Sequence, residues 1–523
     1  MAIPRISLSI YLLKSSKVEE FRKNVLERLD ESFPLVGDLD GSFFPFRAPP
    51  KQPAWVAALQ VLLQAPAAID VNTQSAGGML VVRRRGRTFV ICFGHAWLSL
   101  DVECIEHDFG RRVALNAIPK HQLLEINSEQ VFAKWHLARE RAPRATAFDQ
   151  FGIESERDLV SAIEGVPRDQ VLGPAIRGGT SLRVKIPLPT LSAVLEKADA
   201  LYRSKAHQKL WPELLNLAPI VDPGLVSTLD GQLDVDLSSR SGATKVVLFA
   251  PTLRREDYQP AESYVFGRFT KAGATSPYLL YGSWERLLES KGQVPSVTTA
   301  KNTAVHLLDD AYDEIASSTV YQCFGYETAL KAHQYVLSSG VWYEAAKTFV
   351  ATINARVSSL SKPSVLLPAW DGSCAEAEYN LRCVKAIKDL LHFDAKNISY
   401  GGGASKFEFC DLMHPKKRIL YFAKIASRSS DFSHLSEQAR RTVELVFSPD
   451  DGFRTALKKS VGKHSPKADT AWLDSRPRPG DLVLCLVSLG RTAAQLPFFA
   501  KCGLARLVKD LEGRGHSVAF LSV

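Results

Sequence analysis

From residue 375 to residue 487 the sequence reads as a helix, three strands, a helix and a strand. That order confines the last third of the chain to a sheet covered by helices. Residues 375–391 repeat apolar positions at helical spacing, and Glu376, Tyr379 and Asn380 fall at i, i+3 and i+4 on one face. Residues 393–398 and 406–413 have strand composition, Pro415-Lys416-Lys417 is a turn, and residues 419–425 give a third strand. A helix over residues 434–447 and a strand over residues 482–487 complete the series.

Upstream the pattern is α+β. Residues 7–13 read as a strand and residues 18–29 as a helix. Pro45, Pro49, Pro50 and Pro53 mark a loop, and residues 55–63 are a helix candidate. Residues 79–82 and 88–93 read as two strands joined by the basic turn Arg83-Arg84-Arg85-Gly86-Arg87. Residues 191–202 read as an amphipathic helix, broken afterwards at Val221-Asp222-Pro223-Gly224. Residues 246–249, 320–326, 334–337 and 341–344 are strand-like, with Ser338-Ser339-Gly340 turning between the last two. Residues 345–360 read as a helix, and Lys362-Pro363 opens a linker. With 523 residues and roughly 150 per domain, about three domains are expected. We place them at 1–230 (α+β), 231–361 (strand-rich) and 362–523 (α/β), so the fold class is α/β and α+β, multidomain.

Several function classes drop out. The longest apolar stretches, such as residues 482–489, are far below the ~20 residues a membrane helix needs. The apolar N-terminal run meets Lys14, Lys17 and Glu19 without a small-residue cleavage pattern, so the cytoplasm is the expected location. The eight cysteines are scattered and form no C-x-x-C pair, which argues against a zinc ribbon and for buried, reduced thiols. There is no P-loop, no G-x-S-x-G and no H-E-x-x-H, so a P-loop NTPase, a standard serine hydrolase and a zincin are not indicated. The net charge of +9 is compatible with nucleic acid, DNA or RNA, or another polyanion as partner.

The helix, three strands, helix, strand order resembles the core of the PD-(D/E)XK nuclease superfamily. The resemblance implies a helix Glu and a second-strand Asp that bind a divalent metal, and an acid-x-Lys pair on the third strand. Mapped here, Glu376 is the helix acid, Asp411 the second-strand acid and Lys424 the third-strand lysine. Magnesium is the implied cofactor, since it prefers hard carboxylate oxygens. It would activate water and neutralise phosphoryl charge, with the lysine assisting. The acid-x-Lys position is occupied by Phe422-Ala423-Lys424, and Phe422 cannot bind metal. Asp394 and Glu408 are possible additional acids. An ideal strand puts Glu408 on the opposite face from Asp411 unless a bulge intervenes. Lys416, Lys417, Arg418 and Arg428 are candidate phosphate contacts, and Arg440, Arg441, Lys458, Lys459, Lys463 and Lys467 extend the basic run.

A second resemblance spans nearly the whole chain. Ser9-Ile10-Tyr11-Leu12-Leu13-Lys14, Asp108-Phe109-Gly110 through Ala114-Leu115-Asn116, and Phe151-Gly152-Ile153 with Glu156-Arg157-Asp158-Leu159 carry its first part. Tyr335-Val336-Leu337 with Gly340-Val341-Trp342-Tyr343-Glu344, Glu376-Ala377-Glu378-Tyr379-Asn380, Phe393-Asp394-Ala395-Lys396, Glu408-Phe409-Cys410-Asp411-Leu412, Lys424, and Ser433-His434-Leu435 with Gln438 carry the rest. These strings are similar to those of a sporadically distributed bacterial family described as a domain of unknown function. That family usually has His-x-Lys where this chain has Phe422-Ala423-Lys424. Its patchy occurrence resembles mobile-element cargo near defence genes, which implies a nucleic-acid-directed defence protein.

The expectation is therefore a metal-dependent, nuclease-like phosphodiesterase. The alternatives are a non-catalytic nucleic-acid-binding or sensing protein on a degenerate nuclease scaffold, and a protein-interaction component of a defence or toxin locus.

Overall fold

The computed structural model describes residues 3–523 apart from 30, 48–49, 51, 53–55, 57–58, 60–70, 75, 131–135, 155–157, 240–244, 252–260, 271–274, 310–311, 394–396, 401–404 and 426–428. The helix expected at 55–63 falls largely outside the described residues. Two compact units divide the chain. The first comprises Met1–Glu129, Leu137–Tyr326 and Val336–Glu344, and the second Gln130–His136, Glu327–Tyr335 and Ala345–Val523.

In the first unit ten strands form one sheet. They are β1 (Arg5–Leu12), β2 (Phe33–Pro34), β3 (Asp40–Arg47), β4 (Ala76–Arg84), β5 (Arg87–Gly94), β6 (Leu123–Gln130), β7 (His136–Thr146), β8 (Asp158–Gly165), β9 (Ile176–Gly178) and β10 (Leu182–Pro187). Their order is β2-β3-β4-β5-β1-β10-β9-β8-β6-β7. Strand β1 sits inside because both its faces are apolar. Leu8, Ile10 and Leu12 enter a core with Phe89, Ile91 and Phe109, while Tyr11 and Leu13 enter another with Phe21 and Val90. The hairpin turn from β4 to β5 uses Arg85 at φ 47° and Gly86 at φ 73°. Two consecutive positive φ values match the right-handed twist of the flanking strands.

The helix Phe109–Ala117 packs on β8, β9 and β10 at backbone contact. A Cβ at Gly110 would lie 1.9 Å from the Ser181 carbonyl oxygen, and one at Gly178 would lie 2.0 Å from the Gly110 oxygen. Only glycine permits that approach.

Three strands, β13 (Ser263–Phe266), β14 (Ala304–Leu308) and β15 (Glu314–Thr319), pair antiparallel in sequence order. A five-stranded sheet has the order β11 (Leu217–Pro219), β18 (Val341–Ala345), β17 (His333–Ser338), β16 (Phe324–Leu330), β12 (Val247–Leu248). The turn between β17 and β18 holds Ser339 at φ 50° and Gly340 at φ 77°, as the sequence leads one to expect.

The second unit is built on β19 (Leu391–His392), β22 (Leu412–His414), β23 (Ile419–Ile425), β24 (Val483–Leu489) and β25 (Ser517–Ser522), in that order. The first three are antiparallel neighbours, and β23, β24 and β25 are parallel. Parallel neighbours require crossovers. The helices Ser429–Val446 and Phe498–Gly513 lie within those two connections and pack on each other. The helix Glu376–Ala386 places Tyr379 and Cys383 in a core with Leu412, Tyr421, Ala423, Cys485 and Val487. Cover on both faces explains why β23 and β24 read as unbroken apolar runs.

Two expected strands are corrected. Residues 406–413 are split between β21 (Ser405–Glu408) and β22. Of residues 393–398, Phe393 lies outside a strand, 394–396 lie outside the described residues and 397–398 belong to β20 (Asn397–Tyr400), which pairs with β21 as a separate hairpin between β19 and β22. Phe393, Phe409 and Cys410 at its base are fully buried, so the apolar signal runs through the junction unbroken.

The protein is thus α+β, with several sheets in more than one compact unit. Among the described residues no helix is long and apolar enough to cross a membrane. All eight cysteines are buried free thiols.

Candidate site at the edge of strand β23

Glu376 opens its helix, where a carboxylate in the first turn opposes the positive end of the helix dipole. Lys424 lies near the C-terminal end of β23. Its Nζ donates to Glu376 Oε1 at 2.8 Å, and the Ile425 amide donates to Glu376 Oε2 at 3.3 Å. Asp411 immediately precedes β22 and is 5% exposed. The Ala423 amide donates to its Oδ2 at 2.6 Å.

These bonds have one cause. The ladder between β22 and β23 runs from His414 and Ile419 to Leu412 and Tyr421. The Asp411 amide adds a bond to the Tyr421 carbonyl at 3.0 Å, and the Phe393 amide takes the Asp411 carbonyl at 2.8 Å. Beyond this point the amides of Ala423 and Ile425 face the same edge, since strand N–H groups repeat every second residue. Two carboxylates take the place of a strand there and satisfy donors that would otherwise be costly.

Glu376, Asp411 and Lys424 therefore arrive from three elements at one end of one strand. Amides two residues apart in a strand are separated by about 7 Å. A magnesium ion holds its oxygens at about 2.1 Å. Sharing an ion would require Glu376 to move off Lys424 or off the Ile425 amide.

Phe422, at the position of the expected acid, is fully buried. By strand alternation it and Leu420 face away from the Tyr421 and Ala423 side, and the helix Ser429–Val446 packs on β23. Glu408 ends β21, three residues before Asp411, and belongs to the hairpin. The intervening Cys410 thiol is pushed well up by burial, with Asp411 and Glu408 adding to the effect. Asp394 and Arg428 lie outside the described residues.

The basic candidates are placed elsewhere. Lys416 and Lys417 are exposed in the turn between β22 and β23, and Arg418 follows at φ 53°. They stand at the opposite end of β23 from Lys424, about 20 Å away at strand rise. Further on, Arg440 pairs with Glu437 and Asp510, Arg441 with Glu444, and Lys458 with Asp474. Lys459, Lys463 and Lys467 are exposed.

The sequence gives no sign that backbone amides hold the carboxylates, because that depends on where β22 stops. Nor does it point to Glu20, Asp101 and Cys104, whose ligand atoms lie within 4.8 Å of one another. Glu20 is paired with Lys17, and burial pushes the Cys104 thiol up to about 12, with Asp101 adding, so it is a protonated, poor ligand.

No curated protein and no solved structure matches the chain. The model of a family of unknown function, DUF6119, matches residues 8–523, and the chain belongs to that family.

Proposed function

We propose that the chain is a nucleic-acid-directed protein whose C-terminal part is a nuclease-like, metal-dependent phosphodiesterase. The convergence of Glu376, Asp411 and Lys424 on one end of β23 carries the reading. The order of helix, three antiparallel strands, helix and parallel strand supports it, being the arrangement the PD-(D/E)XK resemblance implies. The defence setting rests on the family resemblance alone.

Two carboxylates form a hard-oxygen donor set suited to magnesium, with waters completing the shell. Asp411 and Glu376 would hold the ion, which supplies water activation and charge neutralisation when bound. Asp411 is prepositioned by the Ala423 amide, and Glu376 would exchange its bond to Lys424. Lys424 would then be released to face a phosphoryl oxygen.

The test is cleavage of DNA and RNA with Mg²⁺ or Mn²⁺ by the native chain and by Asp411→Ala, Glu376→Gln and Lys424→Ala. Loss of either carboxylate should cost more than loss of the lysine, for which about 10²–10⁴-fold is expected. Cleavage unchanged in Asp411→Ala would remove this site from the mechanism.

Phe422 favours a second reading, in which the scaffold binds or senses nucleic acid without cutting it. Salt-sensitive binding to DNA or RNA without cleavage under either metal would select it.

A further inference from the structure

The first unit contains a cavity of about 60 Å³ that carries charged side chains on a partly apolar wall. Its wall is formed by His107, Asp108 and Arg111 at the start of the helix Phe109–Ala117, and by Glu129 of β6. Ser318 of β15 and Tyr343 of β18 also line it. We propose that this cavity binds the ammonium-carboxylate head group of a free amino acid or a closely similar zwitterion.

Charge decides the class. Asp108 and Glu129 supply two acids and Arg111 one cation. A simple anion meets the two carboxylates, and a simple cation meets the guanidinium. A molecule carrying both signs a few bonds apart satisfies both. Capacity remains for it on the wall. Asp108 Oδ1 accepts from the Tyr202 hydroxyl at 3.1 Å, and Arg111 donates one guanidinium bond to the Val160 carbonyl at 3.0 Å. A carboxylate has about four acceptor sites and a guanidinium five donors, so each has more to offer.

The groups also converge. Burial pushes the Tyr343 phenol up to about 12 against the pull of Arg111, with Glu129 and Asp108 adding, so all three charges are felt at one hydroxyl. Burial, with Lys14 adding, lowers His107 to about 3, which leaves a neutral ring with one donor and one acceptor. Glu129 is 2% exposed and accepts from the Ser338 hydroxyl at 3.3 Å.

A second observation points to a ligand. Ser318 lines the cavity at 9% exposure, and its hydroxyl has no hydrogen-bond partner among the described residues. Buried polar atoms are rarely left so. Size fits as well. Roughly 10–15 Å³ holds one water, so the cavity takes about five water-sized groups, matching the five heavy atoms of an α-amino-acid head group. The helix start that carries three of the wall residues is locked in place by the glycine contacts at Gly110 and Gly178. The site uses residues of the first unit alone and stands whether or not the C-terminal region cleaves nucleic acid.

The experiment is titration calorimetry and ligand-observed NMR on the full chain. The probes are glycine, L-serine and L-arginine, with ethylamine and acetate as single-charge controls. Saturable binding of an amino acid, with neither control binding comparably, is expected. Glu129→Gln and Arg111→Gln should each weaken it at least about tenfold, the scale of one lost charge-assisted bond. Ser318→Ala removes only an unpartnered hydroxyl, so it should fold normally and weaken binding by about two- to fivefold. Circular dichroism establishes that each variant is folded. Absence of binding by all three amino acids would overturn the proposal. Equal binding of a single-charge control, or affinity unchanged in folded Arg111→Gln or Ser318→Ala, would overturn it too.

Discussion

The edge of β23 and the cavity of the first unit both bring acids and a base together, and they do it in opposite ways. At β23 the charges are already spent on the protein. Glu376 holds Lys424 and an amide, and Asp411 holds another amide. In the cavity, Arg111 gives its guanidinium bond to a carbonyl and Asp108 takes one from a phenol. The first arrangement resists a ligand, which must replace existing bonds. The second gathers unlike charges on one cavity wall, where Asp108 and Arg111 have bonding capacity beyond the bonds they make. Charge satisfied at a strand end serves the fold first, whereas charge with bonding capacity to spare on a cavity wall is what the proposed ligand would use.

The largest effect that could break this comparison comes from Phe422. If its position belongs to the core, Phe422→Ala should cost about 3–5 kcal/mol in urea unfolding. A cost below about 1 kcal/mol would mean that the residue is not packed and that the site is open where an acid would stand.

Asp411→Ala comes next, at about 1–3 kcal/mol, because it leaves the Ala423 amide unpaired at a buried edge. Asp411→Asn keeps an acceptor and should lose much less. Equal losses would show that charge, and not edge capping, is what Asp411 contributes.

The cavity has a pH signature. His107 is neutral in the folded chain, lowered to about 3 by burial with Lys14 adding, whereas an unfolded histidine takes its proton near its ordinary value of 6.5. Between these values the unfolded state binds more protons, so stability is fully present above pH 6.5 and falls as pH drops toward 3. The share of one group is at most about 1.4 kcal/mol per pH unit. His107→Gln should flatten the slope of unfolding free energy against pH in that window. His207, His414 and His516 are also lowered by burial and should keep a residual slope. An unaltered slope in His107→Gln would place that ring in solvent.

The smallest effect belongs to the ion pair. Lys424 and Glu376 are 36% and 22% exposed, so Lys424→Ala should cost no more than about 1 kcal/mol. A larger loss would make the pair a structural clasp and weaken its reading as a functional site.

What the sequence discloses follows from period and turn chemistry. The strands at β4 and β5 and the turn at Ser339-Gly340 were legible because alternation and glycine act locally. The helix at Glu376 and strands β23 and β24 were legible for the same kind of reason. The hairpin of β20 and β21 was not, since Phe393, Phe409 and Cys410 are apolar whichever sheet receives them. Glu376, Asp411 and Lys424 could be named as residues, but their partners could not. The Ala423 and Ile425 amides become acceptor-seeking only because β22 begins at Leu412, opposite Tyr421, and does not extend alongside them. The cavity was hidden more deeply, because His107 and Tyr343 meet only after the sheets have formed.

A strand edge closed by side chains behaves unlike one closed by a neighbouring strand. Backbone ladders open together, while a carboxylate can leave by a single rotation. The Ala423 and Ile425 amides therefore make a pair of local exchange reporters. Anything that draws Asp411 or Glu376 away, whether an ion or a proton, should speed deuterium uptake at those two positions while the amides that β23 turns toward β24 stay protected.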